Sequence, residues 1–296
     1  MKNLISIIVP AYNEELAIPE LIRRLKIITK KLFDYSFEFI IVENGSYDQT
    51  FNVLLKEQRK EKRIKIIQLA KNEGTDNGLI AGLTFADGDA AIVMMADLQD
   101  IPELIPKFIN KWKEGYDIVY GIVNKRVKLK FTRRMETFFF YKIIKMMSNN
   151  LIIENASDFR LLDKKVYRLM ISMPEHNKFF RGLSTWTGFR QVGIPFNRPP
   201  RYSGESKAYL STVMKVALNG IFSFSNIPYY IPIFSSLFCL IFSITLFILR
   251  AFSLSIITFL FFILSFVLSI ITECLRRIII ETRNRPQFII KKTVGI

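Results

Sequence analysis

Over the first 120 residues the chain alternates short, continuous apolar blocks with stretches in which apolar residues recur every three or four positions. The blocks Leu4–Val9, Phe37–Val42, Ile64–Leu69 and Ala90–Ala96, with a shorter one at Asp117–Tyr120, predict buried strands. Pro19–Lys31, Asp48–Glu61, Asn77–Ala86 and Pro102–Lys113 predict helices. In the first of these Leu21, Ile22, Leu25 and Ile28 form one apolar stripe. Strands separated by helices of this length imply right-handed crossovers and a mostly parallel sheet, an α/β fold.

Each predicted strand runs into polar, turn-rich sequence. The first reaches Pro10-Ala-Tyr-Asn-Glu-Glu15, the second Glu43-Asn-Gly-Ser-Tyr-Asp48, the third Asn72-Glu-Gly74 and the fourth Asp97-Leu-Gln-Asp100. These segments therefore gather on one edge of the sheet, where open α/β sheets bind ligands. The oxygens of Asp97 and Gln99 suit a hard divalent cation. Asp100 stands just before a proline-started helix and reads as its cap. Glu14 reads either as a ligand contact or as a favourable charge at a helix start.

Beyond residue 120 the character changes. Lys125, Arg126, Lys128, Lys130, Arg133 and Arg134 precede the aromatic run Phe138–Tyr141, a pattern that suits a membrane interface or a solvated basic face over a core helix. Arg198, Arg201, Gly204 and Lys207 offer forked and point-charge donors suited to phosphate oxygens. Ile231–Leu249 and Leu254–Ile271 carry no charge. The first, at 19 residues, spans about 28 Å as a helix against a hydrocarbon core of about 30 Å. The four-residue link between them, Arg250–Ser253, predicts a tight transmembrane hairpin.

Composition agrees. A net charge of +16 together with 50% hydrophobic residues points to an anionic membrane surface and away from nucleic acid. Arg276, Arg277, Arg283, Arg285, Lys291 and Lys292 follow the second apolar run, which places both termini on the cytoplasmic side. The two cysteines, Cys239 and Cys274, form no disulfide framework or metal spacing. The single histidine, His176, has no partner at useful spacing and reads as a surface residue.

The segments Ser6–Glu15, Glu43–Asp48 and Ala96–Asp100 resemble family 2 glycosyltransferases of the GT-A (Rossmann-like) fold. Asp158–Asp163, Arg181-Gly-Leu183, Trp186–Phe189, Arg201–Lys207, Glu273–Arg277 and Arg283–Pro286 are similar to polyprenyl-phosphate glycosyltransferases of the bactoprenol glucosyltransferase group, more distantly to dolichyl-phosphate mannose synthase. The resemblance implies a nucleotide-sugar-binding core over 1–120 and an acceptor and interface part with amphipathic helices over 121–228. Two transmembrane helices within 229–272 and a basic cytoplasmic tail over 273–296 would follow. It also implies a multi-pass protein of the inner (plasma) membrane with a cytosolic catalytic domain, and assembly as a homo-oligomer, a tetramer in some relatives.

The implied reaction is inverting transfer of a sugar, a hexose, from a nucleotide-sugar donor, UDP-linked, to undecaprenyl or another polyprenyl phosphate. Asp97 and Gln99 match the ligands of Mg2+ or Mn2+. Pro10, Tyr12 and Glu14 match the nucleobase and ribose pocket, with Glu43, Asn44 and Asn72 beside them. Asp158 matches the general base. Arg160, Arg198, Arg201 and Lys207 would clamp donor and acceptor phosphates, and Arg126 and Arg134 would meet the lipid phosphate; Arg160 reads equally as a structural partner of Asp158. Relatives usually carry Asp-Ala-Asp where this chain has Met95-Ala96-Asp97, and Asp-Asp-Gly-Ser where it has Glu43-Asn44-Gly45-Ser46. These departures motivate a second reading, a catalytically silent membrane-anchored paralogue that binds nucleotide or lipid and scaffolds an active partner.

Overall fold

The computed structural model describes residues 2–124, 153, 155–175, 178–202, 253–282 and 286–296. Its centre is four parallel strands, β1 (Asn3–Ala11), β2 (Tyr35–Glu43), β3 (Ile64–Leu69) and β4 (Ala90–Val93). Helices α1 (Ile18–Lys31), α2 (Thr50–Lys60) and α3 (Thr75–Thr84) connect them. A 3-10 turn at Pro102–Leu104 and α4 (Ile105–Lys113) lead to β5 (Ile118–Val123), followed among the described residues by β6 (Ala156–Asp163), α5 (Lys164–Ser172), α6 (Phe180–Trp186), β7 (Gln191–Phe196), α7 (Ser253–Thr282) and β8 (Ile290–Val294). The sheet order is β7-β5-β6-β4-β1-β2-β3-β8, with β6 antiparallel to β4 and β5, and β8 antiparallel to β3.

Side-chain alternation along the buried strands feeds two cores, one on each face. Ile5, Ile7 and Val9 of β1 meet Leu21 and Leu25 of α1, Leu54 of α2 and Phe108 of α4. Ile8 faces the other way, against Leu79 and Leu83 of α3, Val166 and Met170 of α5 and Phe180 of α6. The predicted α1 stripe is buried as its spacing requires, Leu21, Ile22, Leu25 and Ile28 all pointing inward.

Several boundaries differ from the sequence expectation. The fourth strand ends at Val93 instead of Ala96, and the Met95 N–H is taken by the Asp100 side chain. The third helix begins at Thr75 because Gly74, at φ +85°, turns the chain directly into it. The segment expected as a separate basic tail returns to the sheet, where Ile290–Val294 closes the β3 edge. The helix expected over 254–271 runs on to Thr282.

Considered by themselves, none of the helices among the described residues is long and apolar enough to cross a membrane. On α7, Ile257, Phe259, Leu264, Phe266 and Leu268 are exposed. The expected first span, 231–249, lies outside the described residues, as do Arg126, Arg134, His176 and Lys207.

Candidate active site

The strand order reverses between β1 and β4, adjacent parallel strands whose following segments leave toward opposite ends of the sheet. That reversal opens a crevice at their carboxyl ends. Three turns build one wall of it. Asn13, at φ 52°, accepts from the Tyr47 N–H at 2.9 Å and donates its own N–H to Ser46 Oγ at 3.0 Å. Asparagine tolerates that left-handed backbone better than most residues. The Glu14 N–H donates to Thr50 Oγ1 at 2.9 Å, and the Tyr12 and Tyr47 rings meet edge-on at 6.4 Å. Asn72 caps its own turn, accepting the Gly74 N–H at 2.9 Å.

Asn44 joins the second turn to the third. Its Nδ2 donates to the Gly74 carbonyl at 2.9 Å and its Oδ1 accepts the Glu73 N–H at 3.0 Å. Only an amide can do both from this position, which gives a physical reason for asparagine where relatives usually carry aspartate. Next to it Gly45, at φ +66°, lies so close to the third turn that a Cβ would stand 2.5 Å from the Lys71 carbonyl carbon. Glu43 is buried and accepts the Ser46 N–H at 2.5 Å, so this carboxylate holds the turn.

The opposite wall is the loop after β4. Asp97 Oδ1 accepts the Gln99 N–H at 3.1 Å across Leu98, which sits at φ 59°. A buried leucine in the left-handed region is strained, of the order of 1–3 kcal/mol, and persists because its surroundings fix it. The expectation that Asp100 caps the next helix is corrected. Asp100 is 0% exposed, its Oδ2 accepts the Met95 N–H at 3.0 Å, and its side chain does not cap the turn at Pro102. Burial pushes its carboxyl up to about 6, against the Arg198 charge and the Met95 N–H.

The segment 198–202 crosses over this loop. Arg198 Nη2 lies 3.5 Å from Asp100 Oδ1, while Arg201 reaches Asp97 Oδ2 through Nε at 3.0 Å and Glu14 Oε1 through Nη2 at 3.6 Å. The Tyr202 N–H donates to the Asp97 carbonyl at 3.3 Å, and Gln99 Nε2 donates to the Pro199 carbonyl at 3.4 Å. Asp100 Oδ1 and Arg198 Nε are buried without a hydrogen-bond partner. The structure thus brings Glu14, Asp97, Gln99, Arg198 and Arg201 together.

Asp158 enters from β6, at the same end of the sheet, and is held by both Arg181 Nε and Nη2 in a two-point ion pair. Burial pushes the Asp158 carboxyl up, but the charge and hydrogen bonds of Arg181 outweigh it and hold the group below the usual carboxylate range. Asp76 lies in the first turn of α3, within electrostatic reach of both. Burial, with the Asp158 charge adding, pushes its carboxyl up to about 7. The sequence expectation gave neither Asp76 nor Arg181 a role at the site. An acidic residue directly after Gly74-Thr75 was the available signal for the first.

Arg160 is corrected as a phosphate clamp. It is 1% exposed, with Nε donating to the Ser157 carbonyl at 3.2 Å, Nη1 donating to Ser184 Oγ, and the guanidinium 5.5 Å from the Tyr120 ring centroid. Burial lowers its pKa to about 10. It braces β6 against α6, and the partner of Asp158 is Arg181, not Arg160.

Carboxylate oxygens surround the Arg201 guanidinium. Two carboxylates, Asp97 and Glu14, already share one guanidinium, so the position is built to stabilise positive charge with oxygen donors alone. Among the described residues no group of three His, Cys, Asp or Glu side chains could enclose a metal ion. The set fits a cation that completes its shell with water and substrate oxygens.

A model of the family described as glycosyl transferase family 2 matches residues 6–170, more than half of the chain. The chain belongs to glycosyl transferase family 2. An uncharacterized glycosyltransferase of Bacillus subtilis (strain 168), YkcC, is 35% identical over 98% of this chain and 94% of its own length. The SfII prophage-derived bactoprenol glucosyl transferase of Shigella flexneri is 31% identical over 98% of both chains. Among solved structures, glucosyl-3-phosphoglycerate synthase of Mycobacterium tuberculosis, in complex with Mn2+, uridine diphosphate and phosphoglyceric acid, aligns with a TM-score of 0.53 at 15% identity, covering 73% of this chain and 75% of that one. That likeness is one of fold, the GT-A α/β architecture with its mostly parallel sheet. The molecule is a glycosyltransferase.

Proposed function

We propose that the protein transfers a hexose, with inversion, from a UDP-linked donor to undecaprenyl or a related polyprenyl phosphate at the cytoplasmic face of the inner (plasma) membrane. The observation that carries the reading is the extent of similarity to the Shigella flexneri bactoprenol glucosyl transferase. It spans 98% of this chain, and so reaches α7 and β8 beyond the nucleotide-binding half. The charge-free runs 231–249 and 254–271, and the exposed apolar side chains of α7, support a membrane hairpin with both termini cytoplasmic.

In this reading the crevice at the β1 and β4 ends holds the donor. Tyr12 and the turns at 43–46 and 72–74 face the nucleoside. Asp97, Glu14 and Gln99 would hold Mg2+ or Mn2+, which supplies Lewis-acid stabilisation of the leaving diphosphate. Arg198 and Arg201 hold diphosphate oxygens from the other side. An oxygen of the lipid phosphate forms the new bond to the anomeric carbon as the bond to the diphosphate breaks.

A phosphate monoester has its second pKa near ~6 and is largely dianionic at neutral pH, so it needs no strong base. Asp158, kept ionised and immobilised by Arg181, is a weak base and a good hydrogen-bond acceptor. Its role here is to orient the reacting sugar.

The test is incubation of the purified full-length protein with a panel of nucleotide sugars, Mg2+ or Mn2+, and undecaprenyl phosphate, read by mass spectrometry of the lipid. A lipid-linked hexose is expected. Absence of product from every donor, with nucleotide binding intact, would sink this reading and favour the catalytically silent scaffold.

A further inference from the structure

Asp100 is a carboxylate of this crevice that the proposed chemistry leaves unused. It is fully buried in the loop after β4, and its two oxygens serve two different elements. Oδ2 accepts the Met95 N–H at 3.0 Å and so ties the far end of the loop back to its start. The Met95 side chain packs against the core shared by α3, α5 and α6, so it is Asp97 and Gln99 that the loop offers to the crevice. Between the pinned ends Leu98 holds its left-handed backbone, with the Gln99 N–H donating across it to Asp97 Oδ1 at 3.1 Å. A strained turn persists only where its surroundings fix it, and the Met95–Asp100 contact closes this one.

The other oxygen, Oδ1, faces the segment that crosses over the loop. Arg198 Nη2 lies 3.5 Å away, and among the described residues neither Asp100 Oδ1 nor the buried Arg198 Nε has a hydrogen-bond partner. Their attraction is one of opposite charges, and removing either leaves the other buried without its counter-charge. Arg198-Pro199-Pro200-Arg201 is a stiff spacer. Each proline fixes its own φ and pushes the residue before it to extended backbone. A polyproline turn takes three residues, so the two arginines stand on one side of the segment. Arg201 accordingly comes down on the same loop, Nε 3.0 Å from Asp97 Oδ2, while the Pro199 carbonyl between them accepts Gln99 Nε2 at 3.4 Å. Seating Arg198 therefore sets where Arg201 lands.

We propose that Asp100 is a positioning residue of the donor site, one carboxylate that shapes the cation loop through Met95 and seats the two diphosphate-binding arginines through Arg198. This rests on the donor-site reading above and adds to it a residue that touches neither cation nor donor. A cation and a diphosphate bound together need the Asp97 oxygens and the two guanidiniums at a fixed spacing. Groups placed behind ligands hold them in aim, and a single carboxylate between loop and crossing segment sets that spacing.

The test uses the full-length protein and two probes, Mn2+ alone and UDP in the presence of Mn2+, both read by calorimetry, with thermal melting to check folding. An amide at position 100 keeps an oxygen for the Met95 N–H but turns its NH2 toward Arg198. Asp100→Asn is therefore expected to bind Mn2+ alone at least as tightly as the wild type, and UDP at least about tenfold more weakly, the scale of one lost hydrogen bond between charged groups. Asp100→Ala, which gives up both contacts, weakens both probes. Arg198→Met examines the same contact from the crossing segment, where the side chain is partly exposed and folding is less at risk. It weakens UDP by itself, and in combination with Asp100→Asn it adds less than its own factor. Parallel weakening of both probes by Asp100→Asn would make Asp100 a structural residue and overturn the proposal. Unchanged UDP binding, or losses that multiply in full in the double variant, would overturn it as well. Because both readouts are binding, a wild type that binds UDP with Mn2+ but makes no lipid-linked sugar refutes the acceptor reaction alone. A wild type that binds no UDP overturns both.

Discussion

The Arg201 guanidinium stands between two carboxylates, its Nε 3.0 Å from Asp97 Oδ2 and its Nη2 3.6 Å from Glu14 Oε1. A divalent cation drawn to those oxygens meets a positive charge already there. Arg201→Gln is therefore expected to bind Mn2+ more tightly than the wild type in the absence of nucleotide, as read by calorimetry. Unchanged or weaker binding would separate the guanidinium from the cation site.

Asp97 is the carboxylate most central to that position, accepting from its own loop through Oδ1 and from Arg201 through Oδ2. Asp97→Ala should reduce metal-dependent turnover by at least about a hundredfold, the usual scale for removing an electrostatic element of a transition-state site. Turnover within a few-fold of wild type, measured as lipid product, would remove Asp97 from the chemistry.

Arg160 and Arg201 look alike in sequence and differ in place. Arg160→Met should lower stability by about 2–4 kcal/mol, because it strips buried acceptors on Ser157 and Ser184 of their donor. The denaturation midpoint is the measurement. A stable Arg160→Met protein with a raised KM for donor would return Arg160 to the substrate.

Restoring the aspartate that relatives usually carry at position 44 should be harmful here. Asn44→Asp would set a carboxylate oxygen against the Gly74 carbonyl at a separation now spanned by a 2.9 Å hydrogen bond, at a cost of about 1–3 kcal/mol. Equal or higher thermal stability in Asn44→Asp would mean that the bridge between the two turns carries no weight.

Asp76 also predicts a pH dependence. Its folded-state pKa, pushed up to about 7 by burial, lies above the 3.8 of an ordinary aspartate, so between those values the folded chain holds the proton more tightly than the unfolded one. Its contribution to stability is therefore full below about pH 4 and is lost as pH rises toward 7. Asp76→Asn should gain stability relative to wild type at pH 8, with the difference shrinking toward pH 4. Parallel stability curves for the two proteins would contradict this.

The parallel centre of the fold was legible because its signals are local. Leu21, Ile22, Leu25 and Ile28 declare one buried face, and the β1 to β4 blocks are apolar because both faces of those strands are covered. β6 was illegible as a strand. Ser157, Asp158 and Arg160 interrupt its apolar pattern, and the partners that make their burial tolerable, Arg181 and Ser184, come from more than 20 residues away. The β8 sequence reads as a basic tail because an edge strand needs no apolar alternation, and Lys291 and Lys292 are the kind of residues that edges carry. At the site, residue types pointed to the right turns, whereas the assignment of Asp100 and Arg160 depended on burial and partners that no spacing reveals.

The return of Ile290–Val294 to the β3 edge makes α7 and the catalytic sheet two ends of a short tether. Between Thr282 and Ile290 the chain has eight steps, which fully extended reach no more than about 28 Å. The strand pairing anchors one end in the sheet that carries the crevice, so the crevice cannot drift from α7 beyond that leash. Lengthening 283–289 should therefore widen the distance that α7 can take from the crevice without touching a single residue of the site.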